Sequence, residues 1–339
     1  MAKVKALLSI TFLGLISSLW IFQNSFRYDK SDSFLKGNVH WILKRIGSRS
    51  QDNGRVQASS QTTSWKDGWK LWKEEQENRQ NVLKEVCGRS GLTQEELQDI
   101  LMLRSQVFLQ NLLVDDKRKA IYCFIFKVAS SNWKKLWMAL TGLADVKNFT
   151  SVPLKLAHES TSRMKLVTNT KIEYLQTKLQ TYTKLIVVRN PFHRIASAYR
   201  DKIQGDFGAT FTQKEVLPYV MKRKYGANLT NIEWTEFVDF LTFGKGQNRE
   251  HHWKSYTSLC HPCAINYDVI AKFETLEEDS ERFLRLINAP EDLHFPNTSR
   301  TARRIDSALW KDYQKQLTKK QVDALYKAYQ KDFQMFEYD

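Results

Sequence analysis

Two short stretches carry residues able to hold an anion. The first, Phe126-Lys127-Val128-Ala129-Ser130-Ser131-Asn132-Trp133, leads from an apolar segment into a helical pattern marked by Trp133, Leu136, Trp137 and Leu140. One cation and two hydroxyls therefore stand where a helix starts, and the N–H groups and dipole of that end favour a phosphate. Lacking the glycines of GxxxxGK[ST], the stretch is not an ordinary kinase or ATPase loop. The second, Arg189-Asn190-Pro191-Phe192-His193-Arg194-Ile195-Ala196-Ser197-Ala198-Tyr199-Arg200, puts Pro191 in a first helical turn. Ile195, Ala198 and Tyr199 then share one face, and Arg194, Ser197 and Asp201 another. An arginine at a strand end with a serine hydroxyl suits a phosphate monoester. Each stretch also has a plain structural reading: a serine N-cap beside a solvated lysine in the first, a surface salt-bridge network in the second. Their recurrence after two consecutive strand candidates favours anion binding.

Proton transfer needs a base, and imidazole takes a proton near neutral pH. His158, in LAHESTSR between the two stretches, is the first candidate and His252 the second; a structural histidine is the alternative at both. Cys260-His261-Pro262-Cys263 invites a redox pair or half a zinc site with His251 and His252. It lacks a strand-to-helix setting and a second CxxC, so a structural role for the cysteines fits better and no metal is expected. With Cys87 and Cys123 the cysteines number four, enough for up to two disulfides whose pairing stays open.

The elements that must position these residues are legible in outline. Ala120 to Phe126, AIYCFIF, is a short apolar run rich in β-formers, and Leu185 to Val188 is another; both suit buried parallel strands. Each is followed by a polar turn and a helical pattern, the repeating unit of an α/β domain with a parallel sheet flanked by helices, in which ligands sit beyond the strand carboxyl ends. Trp65, Trp69 and Trp72 recur at helical spacing and suit a helix lying on the main domain. Capping patterns at Thr93 and Glu96 (ahead of Leu97, Ile100, Leu101 and Val107), Thr275 and Glu278, and Thr318 and Gln321 open further helices, the last ahead of Val322, Leu325, Tyr326, Tyr329 and Phe333.

Lys and Arg total 52 against 37 Asp and Glu, and the net charge of +15 favours anionic partners. A content of 42% hydrophobic residues excludes a disordered basic tail, and no motif supports nucleic acid as a partner. Lys222-Arg223-Lys224 and Arg300 with Arg303 and Arg304 either line an acidic-ligand groove or are solvated. After Lys3 and Lys5, Ala6 to Phe26 holds no charge, close to the length of a membrane-spanning helix. A cleaved signal peptide is the alternative, but the apolar run is long and no clear cleavage site follows. Asn148, Asn228 and Asn297 open glycosylation sequons, in keeping with a lumenal body.

From about Val82 onward the sequence resembles the Golgi carbohydrate sulfotransferases related to chondroitin and dermatan 4-O-sulfotransferases and the HNK-1 sulfotransferase. FKVASSNWK at Phe126 to Lys134 is similar to the family's 5′-phosphosulfate motif, and VVRNPFHRIASAYRDK at Val187 to Lys202 to its 3′-phosphate motif. LLVDD at Leu112, HWKSYTSLCHPCAINYDVIAKFETLEED at His252 and the terminal LYKAYQKDFQMFEYD extend the resemblance. The family has Pro at the position of Phe126 and Asp at that of Asn190. The resemblance implies a P-loop-like α/β sulfotransferase domain. It also implies transfer of a sulfuryl group from 3′-phosphoadenylyl sulfate (PAPS), as co-substrate, to a glycan hydroxyl, with GalNAc of chondroitin or dermatan or a related terminal sugar expected. Lys127 would meet the sulfuryl and 5′-phosphate oxygens, residues 128–133 the 5′ phosphate, Arg189 and Ser197 the 3′ phosphate. The expected plan is a cytoplasmic tail (1–5), a signal-anchor helix (6–26), a stem (27–80) and a lumenal catalytic domain (81–339), giving a single-pass type II protein of the Golgi membrane. A weak or silent homologue that binds glycans is the alternative.

Overall fold

Among the described residues four strands form one sheet in the order β1-β2-β3-β4, with β1 at Leu112–Asp115, β2 at Ala120–Cys123, β3 at Thr183–Val188 and β4 at Val269–Lys272. The structure is a computed structural model that describes residues 65–89, 93, 95, 96, 99, 102, 108–204, 216–223, 232–296 and 308–338. The main helices are α1 (Trp65–Gly88), α2 (Ser130–Leu140), α3 (Leu154–Glu159), α4 (Ile172–Thr181), α5 (Pro191–Lys202), α6 (Trp234–Thr242), α7 (Tyr256–Cys260), α8 (Leu276–Leu286) and α9 (Lys319–Met335).

β2 pairs with β3 and β3 with β4 in parallel, and the side chains of all three are buried apart from the terminal Thr183 and Lys272. Burial on both faces explains the unbroken apolar runs. β1 pairs antiparallel with β2, a hairpin the sequence did not announce. The first strand ends at Cys123, short of the expected Phe126. Next in that register, Phe124 N still donates to the Asn111 carbonyl at 2.9 Å and Asn111 Nδ2 to the Phe124 carbonyl at 3.0 Å, a side chain standing where the ladder's return bond would be. Since β2 and β3 are parallel neighbours, the segments that leave them emerge side by side.

One apolar cluster packs against the sheet and includes Trp133, Leu136, Trp137 and Leu140 of α2, the expected buried face. A second joins α5, α6 and α9 through Tyr199, Phe237, Phe240, Leu325, Tyr329 and Phe333. The Thr318–Gln321 capping box opens α9 and the Thr93–Glu96 pair is reciprocally bonded. Thr275 departs from expectation: its hydroxyl donates to Asp279 Oδ2, one turn on, instead of capping α8. Two disulfides form, Cys87–Cys263 and Cys123–Cys260. The CxxC cysteines thus hold two different elements, α1 and β2, against the turn after α7.

α1 lies on this unit, as the tryptophan spacing suggests, and the expected domain start at residue 81 falls inside it. Trp72 Nε1, Gln76 Nε2 and Arg79 Nη1 all donate to the carboxylate of Asp279, and Arg79 Nη1 also reaches the Ile270 carbonyl at 2.6 Å. Lys272 N and the Thr275 hydroxyl complete that carboxylate's partners. No helix among the described residues is long and apolar enough to cross a membrane. The expected span 6–26, the stem up to residue 64, Asn228, Asn297, Lys224, Arg300, Arg303, Arg304, Leu97, Ile100, Leu101 and Val107 lie outside the described residues.

Asp279 and Arg79 are both buried, so removing one strands the other's charge. Asp279→Ala is expected to lower the unfolding free energy by about 3–5 kcal/mol in urea titrations.

Candidate active site

Lys127, Val128 and Ala129 make the turn between β2 and α2, and φ is positive at Lys127 (72°) and Ala129 (63°). A left-handed backbone costs a residue with a side chain about 1–2 kcal/mol. Strain of this kind collects at sites that use it. Ala129 directly precedes α2 and offers no side-chain cap, so the serine-cap reading is not what forms. Ser130 begins the helix itself and is buried, with Ser131 and Asn132 half-buried in the same turn. The side chains of Val128 and Trp133 face the core, Trp133 against Tyr122, Phe283 and Phe295, so neither side chain is turned to a ligand. Asn132 N and Trp133 N donate to the Ala129 carbonyl at 3.1 and 3.2 Å, so an anion at this helix end would meet the N–H groups ahead of them, where the dipole adds to the pull.

The second stretch docks onto the first. Arg189 is 3% exposed, donates from Nη1 to the Lys127 carbonyl at 2.7 Å, and lies over the Phe273 ring just past β4. The Tyr256 hydroxyl braces Arg189, accepting from its N–H and donating to its carbonyl. Along α5, Arg194, Ser197 and Asp201 do share a face, and that face meets the Lys127 turn. Arg194 Nε donates to the Phe126 carbonyl at 3.1 Å, and Asp201 Oδ2 lies 2.9 Å from Lys127 Nζ. The remaining Arg194 nitrogens reach the carbonyls of Lys254 and His251, so Arg194 is a clamp rather than an anion ligand. Asn190 N-caps α5, accepting from Phe192 N and His193 N. An Asp there would do the same, which accounts for the exchange.

The Phe126 ring stands among the histidines, with centroids 4.4 Å from His252, 6.2 Å from His158 and 6.4 Å from His251. The two candidate bases differ in their partners. His252 Nδ1 lies 2.8 Å from Glu250 Oε2, and only a protonated nitrogen can bond a carboxylate. The neutral ring then carries its lone pair on Nε2. His158 Nδ1 lies 3.2 Å from Lys134 Nζ, and an ammonium only donates. While Lys134 is charged, His158 therefore keeps its proton on Nε2 and presents a donor.

Burial pushes the His252 pKa below 6.5 although Glu250 opposes it, and takes His158 down to about 4 with help from Lys134, Lys202 and His252. Burial works against the Glu250 charge too, but the His252 bonds outweigh it and hold its pKa below the ordinary value. Lys134, 2% exposed and beneath the Phe124 and Phe126 rings, falls to about 7 through burial and Lys165. Lys127 is lowered by burial and by Lys202 and Arg189, against the pull of Asp201. Glu250 and Lys134 were not singled out from sequence. Glu250 had a faint signal, an acid two residues before a candidate base; Lys134 looked like any charged helix residue. Among the described residues no group of His, Cys, Asp and Glu has the arrangement of a metal site.

Two loops that carry cations and hydroxyls thus meet at the carboxyl ends of parallel strands, and residues 110–339 match the sulfotransferase family, to which the chain belongs. Its relatives are carbohydrate sulfotransferases. It is 32% identical over 285 residues to human (Homo sapiens) carbohydrate sulfotransferase 9, an alignment covering 80% of this chain and 61% of that protein. Identity with carbohydrate sulfotransferase 11 of Rattus norvegicus is 34% over 239 residues, covering 68% and 67%. With carbohydrate sulfotransferase 14 of Danio rerio it is 28% over 269 residues, covering 78% and 71%. The chain thus spans about three fifths of the human relative's length. No solved structure gives a significant match.

Arg194 satisfies three carbonyls from two segments, which a single ammonium cannot do. Arg194→Lys should lower the unfolding free energy by about 2 kcal/mol or more, read as a fall in the urea midpoint.

Proposed function

We propose that the chain transfers the sulfuryl group of PAPS to a glycan hydroxyl, with GalNAc of chondroitin or dermatan, or a related terminal sugar, as the acceptor. The observation that carries this reading is the 2.7 Å bond from Arg189 to the Lys127 carbonyl, which puts two anion-holding loops in one place. Lys127 would hold the sulfuryl and 5′-phosphate oxygens. Ser130, Ser131, the Asn132 side chain and the amides of 128–131 would hold the 5′ phosphate, the expected amides of 132 and 133 being engaged by the Ala129 carbonyl, and Arg189 with Ser197 would hold the 3′ phosphate. Left-handed turn, helix N-terminus and clustered cations suit an anion at that place, and a 3′ phosphate would distinguish this donor from ATP.

In the transfer the acceptor oxygen forms a bond to sulfur as the bond from sulfur to the 5′-phosphate oxygen breaks, and the adenosine 3′,5′-bisphosphate keeps that electron pair. The acceptor's proton goes to a base. The Glu250–His252 pair fits that role better than His158, because its lone pair is on Nε2 while Nδ1 is anchored. His158, the first choice from sequence, fits instead as a donor to sulfuryl oxygen, where charge develops. The body of the chain would lie in the Golgi lumen, tethered by the 6–26 span and a stem that ends before α1. Two disulfides and an exposed Asn148 support a lumenal setting.

Labelled PAPS with a panel of desulfated glycosaminoglycans and GalNAc- or glucuronate-terminated acceptors tests the reading. Lys127→Ala and Arg189→Ala should each lose about 100-fold or more in kcat/KM, and full activity in either would contradict the donor assignment. The base must be neutral, so kcat/KM should fall as pH drops through a His252 pKa below 6.5. His252→Ala should lose about 100-fold or more. Glu250→Gln removes the charge that raises the His252 pKa, so the acid limb should move to lower pH. His158→Ala should slow turnover and leave the limb in place.

A further inference from the structure

Asp201 puts a carboxylate among cations. Its Oδ2 lies 2.9 Å from Lys127 Nζ and 3.3 Å from Lys202 Nζ, and both Lys202 and Arg189 repel the Lys127 charge. Donor binding as read above uses Lys127 and Arg189 and has no use for an acid beside them. Burial opposes the Asp201 charge, but Lys127 and Lys202 outweigh it and keep its pKa below the ordinary carboxylate value. The group is therefore an anion at any pH where the enzyme would work. Its side chain is 40% exposed, whereas that of Lys127 is 18% exposed, so the acid has solvent to turn toward and the lysine has little.

We propose that Asp201 is an internal substitute anion, holding the Lys127 ammonium in the nucleotide-free enzyme until a phosphosulfate oxygen takes the same place. This rests on reading Lys127 as a donor ligand. Carboxylate and phosphate oxygens accept the same charge-assisted bonds from an ammonium, so one can replace the other without leaving Lys127 unpaired. Asp201 is one helical turn beyond Ser197 on the shared face of α5, and therefore reaches Lys127 from the helix that faces the 3′ phosphate. It is a positioning residue acting through Lys127: it keeps the ammonium aimed at the turn, and it weakens nucleotide binding by the work of its own displacement.

The test uses the full-length chain in detergent, with adenosine 3′,5′-bisphosphate as calorimetric probe. Asp201→Asn should bind it about tenfold more tightly than the unmodified chain, a gain that a merely damaged fold cannot produce. In a Lys127→Met background the same substitution should change the affinity by less than about twofold, because no ammonium remains to be released. Acetylation of Lys127 by acetic anhydride, followed by peptide mass spectrometry without nucleotide, gives a second reading: it should be faster in Asp201→Asn. If the unmodified chain binds no bisphosphate but Lys127 acetylates faster in Asp201→Asn, the nucleotide reading fails while the hold of Asp201 on Lys127 stands. Equal or weaker bisphosphate binding by Asp201→Asn, or unchanged acetylation, overturns the proposal.

Discussion

The bond from Arg189 to the carbonyl of Lys127 is the constraint on which the site depends. It forms because β2 and β3 are parallel neighbours in register, Cys123 opposite Ile186, so that the chain leaves both strands on one side of the sheet. An antiparallel pairing of the same two strands would send the loops to opposite ends. Arg194 adds a second tie, from the helix after β3 to the carbonyl of Phe126. Two hydrogen bonds therefore tie the loops to each other. Such ties would suit the proposed donor with its two phosphates, because donors held in place lose little freedom on binding.

Much of the polar burial in this unit serves to hold those loops. Tyr256 bonds both backbone groups of Arg189, and its own N–H donates to Asp332 of α9. Asp332 is fully buried, and burial raises its pKa to about 7, although the backbone donors and Arg194 favour its charge. The terminal helix is thus wired to the loop after β3 through Tyr256. On the other side, Asp279 gathers α1, the end of β4 and the start of α8 around one carboxylate. The disulfides fasten α1 and β2 to the turn after α7.

The parts of this arrangement that were legible in the sequence are those set by local pattern. AIYC and LIVV read as strands because both faces are buried, and Thr318 with Gln321 reads as a capping box because its bonds are local. β1 and β4 were missed because each runs into a charged residue, Asp115 or Lys272, without the longer apolar run that marks β2, and is a strand only by virtue of its neighbour. Thr275 misled for the opposite reason: its spacing to Glu278 is that of a cap, but Asp279, buried for α1's sake, captures its hydroxyl. At the site, Lys127, Ser130, Arg189 and Ser197 could be picked by type and place. Which histidine keeps a lone pair could not, because Glu250 and Lys134 decide it, and their significance rests on burial and pairing that no periodicity reports.

A crystal structure of the chain with adenosine 3′,5′-bisphosphate tests the central claim most directly. The account predicts the 5′ phosphate against the 127–132 turn and Lys127, and the 3′ phosphate of the same molecule against Arg189 and Ser197. A nucleotide bound away from this pair of loops, or one gripped by a single loop with its other phosphate in solvent, would contradict it.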